Sequence, residues 1–159
     1  MRIKKAVSFA AFLLLVFLIE WIGHKMTFPS VQTWYTTLQK PLFTPPSWLF
    51  GPVWTLLYAS IAIGGWLIWI KVPPTKQKKR ALFVYTGQLI ANLLWSYCFF
   101  FLQNPFLGLL DIGLLLILIG ATIVLFWRLY PPAGWILVPY FLWTLYASFL
   151  NIFIWKLNS

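Results

Sequence analysis

Apolar residues run along this chain in five blocks of about 20, and the polar positions collect between them. The blocks cover roughly 6–26, 47–70, 81–102, 106–129 and 134–155. A run of 18 or more apolar residues is long enough to cross the roughly 30 Å hydrocarbon layer as a helix. Little chain is left once the blocks are removed. The pattern therefore predicts one domain over 1–159, an all-α membrane protein built as a bundle of five transmembrane helices. The breaks have local causes. Lys71 to Arg80 is a basic loop with a Pro73-Pro74 pair, and Tyr130-Pro131-Pro132 ends the fourth span. Gln103-Asn104-Pro105 is a tight turn, since proline disfavours helix at the residue before it. The first block follows Arg2, Lys4 and Lys5 as a secretory leader would. It continues through Glu20-Trp21-Ile22-Gly23 without a small-x-small cleavage site, which predicts an uncleaved first span.

Within the blocks, polar and aromatic residues fall on particular helical faces. At about 100° per residue, Trp54 and Tyr58 share one face of the second span. On the third, Gln88, Asn92, Trp95, Ser96 and Phe99 lie within about 100° of one another. On the fifth, Tyr140, Trp143, Ala147 and Asn151 lie within about 80°. An unsatisfied amide facing lipid costs several kcal/mol, so these stripes turn inward. Two readings follow. The amides hold a packed bundle together by interhelical hydrogen bonds, or the indoles and the small Ala147 leave an aromatic-walled gap suited to a flat, apolar ligand. Gly87 and Ala91 make a small-xxx-small pair on a third-span face about 100° from the amide stripe. That face packs against a second copy of the chain or against a helix of the same chain. The first loop, Thr27–Pro46, holds Trp34, Tyr35, Lys40 and the prolines Pro41, Pro45 and Pro46. It reads as an interfacial cap or as a lid over a cavity.

Charge adds orientation. Hydrophobic residues make up 62% of the chain and charged residues 9%, so the net charge of +10 belongs to lipid headgroups and not to nucleic acid. Nine bases (Arg2, Lys4, Lys5, Lys71, Lys76, Lys78, Lys79, Arg80, Arg128) fall on the N-terminal side, against Lys25, Lys40 and Lys156 on the other. The positive-inside rule then places the N-terminus in the cytoplasm. Glu20 and Asp111 are the only acids, and both fall in spans. Glu20 is spaced to pair with His24 one turn on. Asp111 pairs with a neighbouring hydroxyl or amide, or serves ligand or proton chemistry. His24 as a haem axial ligand is one further reading. The one cysteine, Cys98, allows no intrachain disulfide and no cysteine metal cluster. No metal-ligand spacing, Ser-His-Asp set, phosphate loop or carboxylate pair is present.

The run Trp34-Tyr35-Thr36-Thr37-Leu38-Gln39-Lys40-Pro41-Leu42-Phe43-Thr44-Pro45-Pro46, followed by Phe50-Gly51-Pro52-Val53-Trp54-Thr55-Leu56-Leu57-Tyr58, resembles the signature of the translocator protein family. That family is also called TspO/MBR, the tryptophan-rich sensory proteins or peripheral-type benzodiazepine receptors. The resemblance continues in Gln88-x-x-x-Asn92-x-x-Trp95-Ser96-x-x-Phe99-Phe100 and in Pro139-Tyr140-x-x-Trp143-x-x-x-Ala147-x-x-x-Asn151. It implies a five-helix bundle, often a homodimer, with a pocket closed over by the first loop that binds porphyrins such as protoporphyrin IX and haem. No other cofactor is implied. Animal members also bind cholesterol and benzodiazepine-type synthetic ligands. The pocket positions carried over are Tyr35, Trp54, Tyr58, Asn92, Ser96, Trp143, Ala147 and Leu150, to which the third-span stripe adds Trp95 and Phe99. The animal cholesterol motif is incomplete here, with Phe153 where its tyrosine stands, which points to a bacterial-type member in a cell membrane.

Three functions follow from these features. The first is a receptor or sensor for porphyrins, with a role in tetrapyrrole transport or regulation. The second is a light-dependent porphyrin-degrading enzyme, in which Trp54 and Trp143 hold the ring and pass electrons. The third is a structural partner in a membrane assembly.

Overall fold

A computed structural model describes residues 2–159. The described chain is helical, with no strand. It comprises α1 (Arg2–Gln32), α2 (Trp34–Thr37), α3 (Ser47–Lys71), α4 (Lys76–Ser96), a π-helical segment (Tyr97–Phe101), α5 (Pro105–Leu129), α6 (Pro131–Trp135) and α7 (Val138–Asn158). Four stretches are long and apolar enough to cross a membrane: Ile3–Gln32, Ser47–Lys71, Pro105–Leu129 and Pro131–Asn158. The expected third span, 81–102, is helical throughout most of its length but less apolar than the others. Gln88 and Asn92 interrupt it, and Lys76–Arg80 occupies its first turns.

The helices close into a ring. α1 packs on α3 and α4, α5 lies between α4 and α7, and α7 returns to α3 through a sparse seam. Glycine permits the tightest crossings. A Cβ on Gly108 of α5 would stand 2.9 Å from the Phe99 side chain and 3.0 Å from Asn151 Oδ1. One on Gly65 of α3 would stand 2.7 Å from Tyr85 and 2.8 Å from Phe12. Outward positions are apolar, including Leu56, Phe83 and Ile117. That distribution suits lipid contact, and the chain is an integral membrane protein.

The connections deviate from the sequence reading in two places. α1 does not stop near Met26 but continues through Pro29 to Gln32, and the Ser30 hydroxyl donates to the Phe100 carbonyl at 2.7 Å. The first loop is therefore shorter than 27–46. At the other end of α4 the backbone widens: Leu102 N–H reaches Tyr97 O at 2.9 Å, five residues back. This π turn keeps both Phe99 and Phe100 buried. The predicted turn after it is present. Gln103 adopts a left-handed φ of 51°, and Asn104 caps α5 by accepting from Phe106 N–H and Leu107 N–H at 3.1 and 3.0 Å. In the basic loop, Lys78 is not spent on headgroups. Its ammonium donates to Trp69 O and Val72 O, both at 2.7 Å, and caps the end of α3.

Gly87 and Ala91 meet α5 of the same chain. Ala91 is only 2% exposed, and a Cβ on Gly87 would lie 4.0 Å from Leu118. Within the single chain this face therefore has a neighbour in α5, while Gly87 itself stays half-buried. We expect Ala91→Leu to overpack this contact and destabilise the single chain by about 1–3 kcal/mol. Gly87→Leu, with more room, should be milder. Thermal unfolding in detergent reads the difference. A halved particle mass at unchanged unfolding temperature would instead assign the face to a second copy.

Candidate ligand-binding cavity

Hydrogen bonds among the buried polar side chains come first, because they set where the helices stand. Tyr58 of α3 donates its hydroxyl to Asn92 Oδ1 of α4. Asn92 Nδ2 donates to the Tyr140 hydroxyl of α7 at 3.0 Å, and Tyr140 donates to Gln88 Oε1 at 2.9 Å. A second set lies nearer the π segment. Trp95 Nε1 donates to Asn151 Oδ1 at 3.1 Å, and Asn151 Nδ2 to Pro105 O at 2.7 Å. The amide stripes thus turn inward and cross-link α3, α4 and α7. Gln88 Nε2 is left without a partner.

These residues do not fill the interior. A cavity of about 600 Å³ remains, bounded by α1, α3, α4, the π segment and α7. That lies within the roughly 300–1,000 Å³ of small-molecule sites. Its walls are aromatic. Trp54 and Tyr58 are 5.6 Å apart between ring centroids, and Trp95 stacks on Phe99 at 5.4 Å and 23°. Both readings of the amides therefore hold at once: Asn92 and Asn151 tie helices together and also line the cavity.

One end is covered by the first loop. Tyr35, Ser47 and Phe50 line the cavity there. Burial, with Tyr146 nearby as a lesser cause, pushes the Tyr35 phenol up to about 12, so it stays uncharged. The Lys40 ammonium sits 4.7 Å from the Tyr35 ring centroid. The loop is tied to α7 by a reciprocal pair, Gln39 N–H to Asn158 Oδ1 and Asn158 Nδ2 to Gln39 O, each 2.9 Å. Tyr146 adds a bond to Phe43 O at 2.6 Å. Between α1 and α3, Tyr35 is the residue that lines the cavity, and Gln39 and Phe43 fasten the connection to α7.

Of the residues singled out from the sequence, Tyr35, Trp54, Tyr58, Asn92, Trp95, Ser96, Phe99, Ala147 and Leu150 all line the cavity. Trp143 does not. Its indole sits in a shallow apolar groove at the α3–α7 seam with Val53, Leu57, Pro139, Leu142 and Tyr146. It lies beside the cavity-lining Phe50, at 5.9 Å between centroids. On the helical wheel it lies about 40° from Ala147, toward Tyr146. The open seam takes the indole, and the buried Nε1–H finds no acceptor there.

The α1 wall was missed. Phe17, Glu20, Trp21, His24, Thr27 and Val31 line it. Their spacing places them within about 120° of one face, so the stripe test that found the other walls would have found this one. Glu20 does not depend on His24 for a partner. Its Oε1 accepts from the Thr55 hydroxyl of α3 at 3.2 Å. Asp111, read either as pairing with a neighbour or as serving ligand or proton chemistry, has its Oδ2 buried without a hydrogen bond.

Comparison with known proteins gives one answer throughout. A family model described as the TspO/MBR family matches residues 11–156. The chain is 45% identical over 149 residues to Tryptophan-rich protein TspO of Archaeoglobus fulgidus, covering 94% of this chain and 95% of that one. It is 41% identical over 159 residues to the protein of the same name from Chlorobaculum tepidum, at 98% coverage of both. The Translocator protein of Homo sapiens is 33% identical over 139 residues, covering 87% of this chain and 82% of the human one.

The network makes a graded stability prediction. Asn92→Ala leaves the Tyr58 hydroxyl without its acceptor and removes the donor to Tyr140, which keeps its bond to Gln88, and should cost on the order of 1 kcal/mol, at the upper end of interhelical hydrogen bonds in membranes. Tyr58→Phe removes one donor and should cost less. A double-mutant cycle in detergent should return a coupling energy between the two positions. Strict additivity would show that the bond carries no stability.

Proposed function

The chain belongs to the TspO/MBR family, and on that premise we propose that it is a membrane receptor holding a porphyrin, protoporphyrin IX or haem, in the cavity between its helices. The observation that carries this reading is the coincidence of the signature residues with the walls of one aromatic cavity of about 600 Å³. A flat conjugated ring gains by stacking and burial against Trp54, Tyr58 and Trp95, and each large aromatic contributes roughly 1–3 kcal/mol. Other flat, apolar molecules, benzodiazepine-type ligands among them, meet the same walls. Sensing and tetrapyrrole transport both begin with this binding step.

Light-dependent porphyrin breakdown is the second reading. The indoles of Trp21, Trp54 and Trp95 beside the ligand space favour it, because they are oxidisable groups next to a light absorber. Trp143, first named for that role, stands outside the cavity. Titration in the dark and then under illumination separates the two. Binding alone leaves the porphyrin spectrum unchanged in light beyond the bleaching of free ligand. Protein-dependent conversion to a defined product supports the enzyme. No saturable binding at all leaves the structural-partner reading.

We expect Trp54→Ala to weaken porphyrin binding about tenfold, the equivalent of ~1.4 kcal/mol. Trp143→Ala should leave affinity nearly unchanged. The reverse order would place the ligand at the α3–α7 seam.

The same reading takes α4 and the π segment as a fifth span, with the N-terminus cytoplasmic. Gln88 and Asn92 support this, since both are bonded inside the bundle and burden no lipid contact. In a Cys98→Ser background, Ser159→Cys should react with an impermeant thiol reagent added outside, and Lys79→Cys should not. Lys79 is exposed, whereas neighbouring Lys78 caps α3. Labelling in the opposite pattern would invert the topology.

A further inference from the structure

The α1 wall carries a group that shape and stacking do not use. His24 is the chain's single histidine, and it lines the cavity with Glu20 one turn before it. Its ring is exposed and rests beside Phe28, 5.2 Å between centroids. Beside it, Glu20 Oε1 accepts from the Thr55 hydroxyl at 3.2 Å, which engages one of its two carboxylate oxygens.

We propose that His24 is an axial ligand to the iron of a metalloporphyrin, so that this cavity takes iron porphyrin in preference to the free base. The proposal rests on the porphyrin reading above and narrows it to one ligand class. The donor set fits. An imidazole nitrogen is a common protein ligand to haem iron, alongside thiolate, thioether and phenolate. The lining contains no cysteine or methionine. Tyr58 spends its hydroxyl on Asn92, and the Tyr35 phenol is held uncharged by burial. That leaves the imidazole as the nitrogen donor of the wall. A ligating histidine is typically oriented by a carboxylate accepting from its other ring N–H. Glu20, at i−4 on the same face, is spaced for that contact and is near enough to His24 to interact electrostatically.

The test titrates ferric haem and free-base protoporphyrin IX, in the dark, into the full chain in detergent. Wild type, His24→Ala, and His24→Ala with added free imidazole are compared by absorption spectra. Wild type should bind haem more tightly than the free base and show the Soret and visible bands of histidine-ligated iron. His24→Ala should lose those bands and bind haem at least about tenfold more weakly. Free imidazole should restore the bands, and affinity for the free base should be unchanged, which also reports an intact fold. A haem spectrum unchanged by His24→Ala, or an equal loss of both porphyrins, overturns the axial assignment and leaves the porphyrin reading standing. If wild type binds neither porphyrin saturably, the porphyrin reading fails and this inference fails with it.

Discussion

Hydrocarbon offers no hydrogen bonds, and that constraint organises this protein. A buried amide or hydroxyl must find its partner inside the bundle. Tyr58, Asn92, Tyr140 and Gln88 answer it as a chain of bonds joining α3, α4 and α7. Trp95 and Asn151 answer it again near the turn before α5. Rotating α4 to turn Asn92 toward lipid would break two bonds with no water to replace them. The helices are thereby held at fixed rotation about their axes. The aromatic residues flanking each amide are carried to the interior with it, so the cavity follows from the network.

The ends of the bundle are locked by different means. Lys78 closes α3 through two carbonyls, Asn104 caps α5, and the Gln39–Asn158 pair fastens the first loop to the end of α7. Each satisfies backbone groups that a helix end or loop leaves open. The first loop is therefore tied to α7. By contrast α1 is the least enclosed span, with 11% of its most apolar window buried. The wall with the loosest packing is also the one that carries Glu20 and His24.

This division shapes what the cavity can recognise. The polar atoms of Tyr58 and Asn92 are spent on each other and on Tyr140, and those of Asn151 on Trp95 and Pro105, so those walls offer a ligand mainly ring faces. Glu20, His24, Thr27 and Thr55 stand along the α1–α3 side. On the porphyrin reading proposed above, shape and stacking would select a flat molecule on one side, and hydrogen bonding or metal ligation would discriminate on the other. Membership of the TspO/MBR family rests on a match over residues 11–156. The discriminating wall is read from this chain's own residues.

Much of this was legible in the linear chain. Block length identified membrane helices, and periodicity placed Trp54, Tyr58, Asn92, Trp95, Ser96, Phe99 and Ala147 on inward faces, because an amide in lipid is too costly to leave outward. Proline and asparagine marked the turn at 103–105. Three things waited for tertiary structure. Trp143 lies on the edge of its stripe, and only the gap at the α3–α7 seam decided that its indole leaves the cavity. Gly87 and Ala91 mark a face for close approach, and only the position of α5 put Leu118 beside Gly87 within the chain. The extension of α1 past Pro29 and the widened turn at Tyr97–Phe101 depend on contacts between segments about 70 residues apart, as in the Ser30–Phe100 bond. Periodicity reports which face of a helix is apolar. Which neighbour meets that face, and how much space is left between them, is settled only when the helices pack.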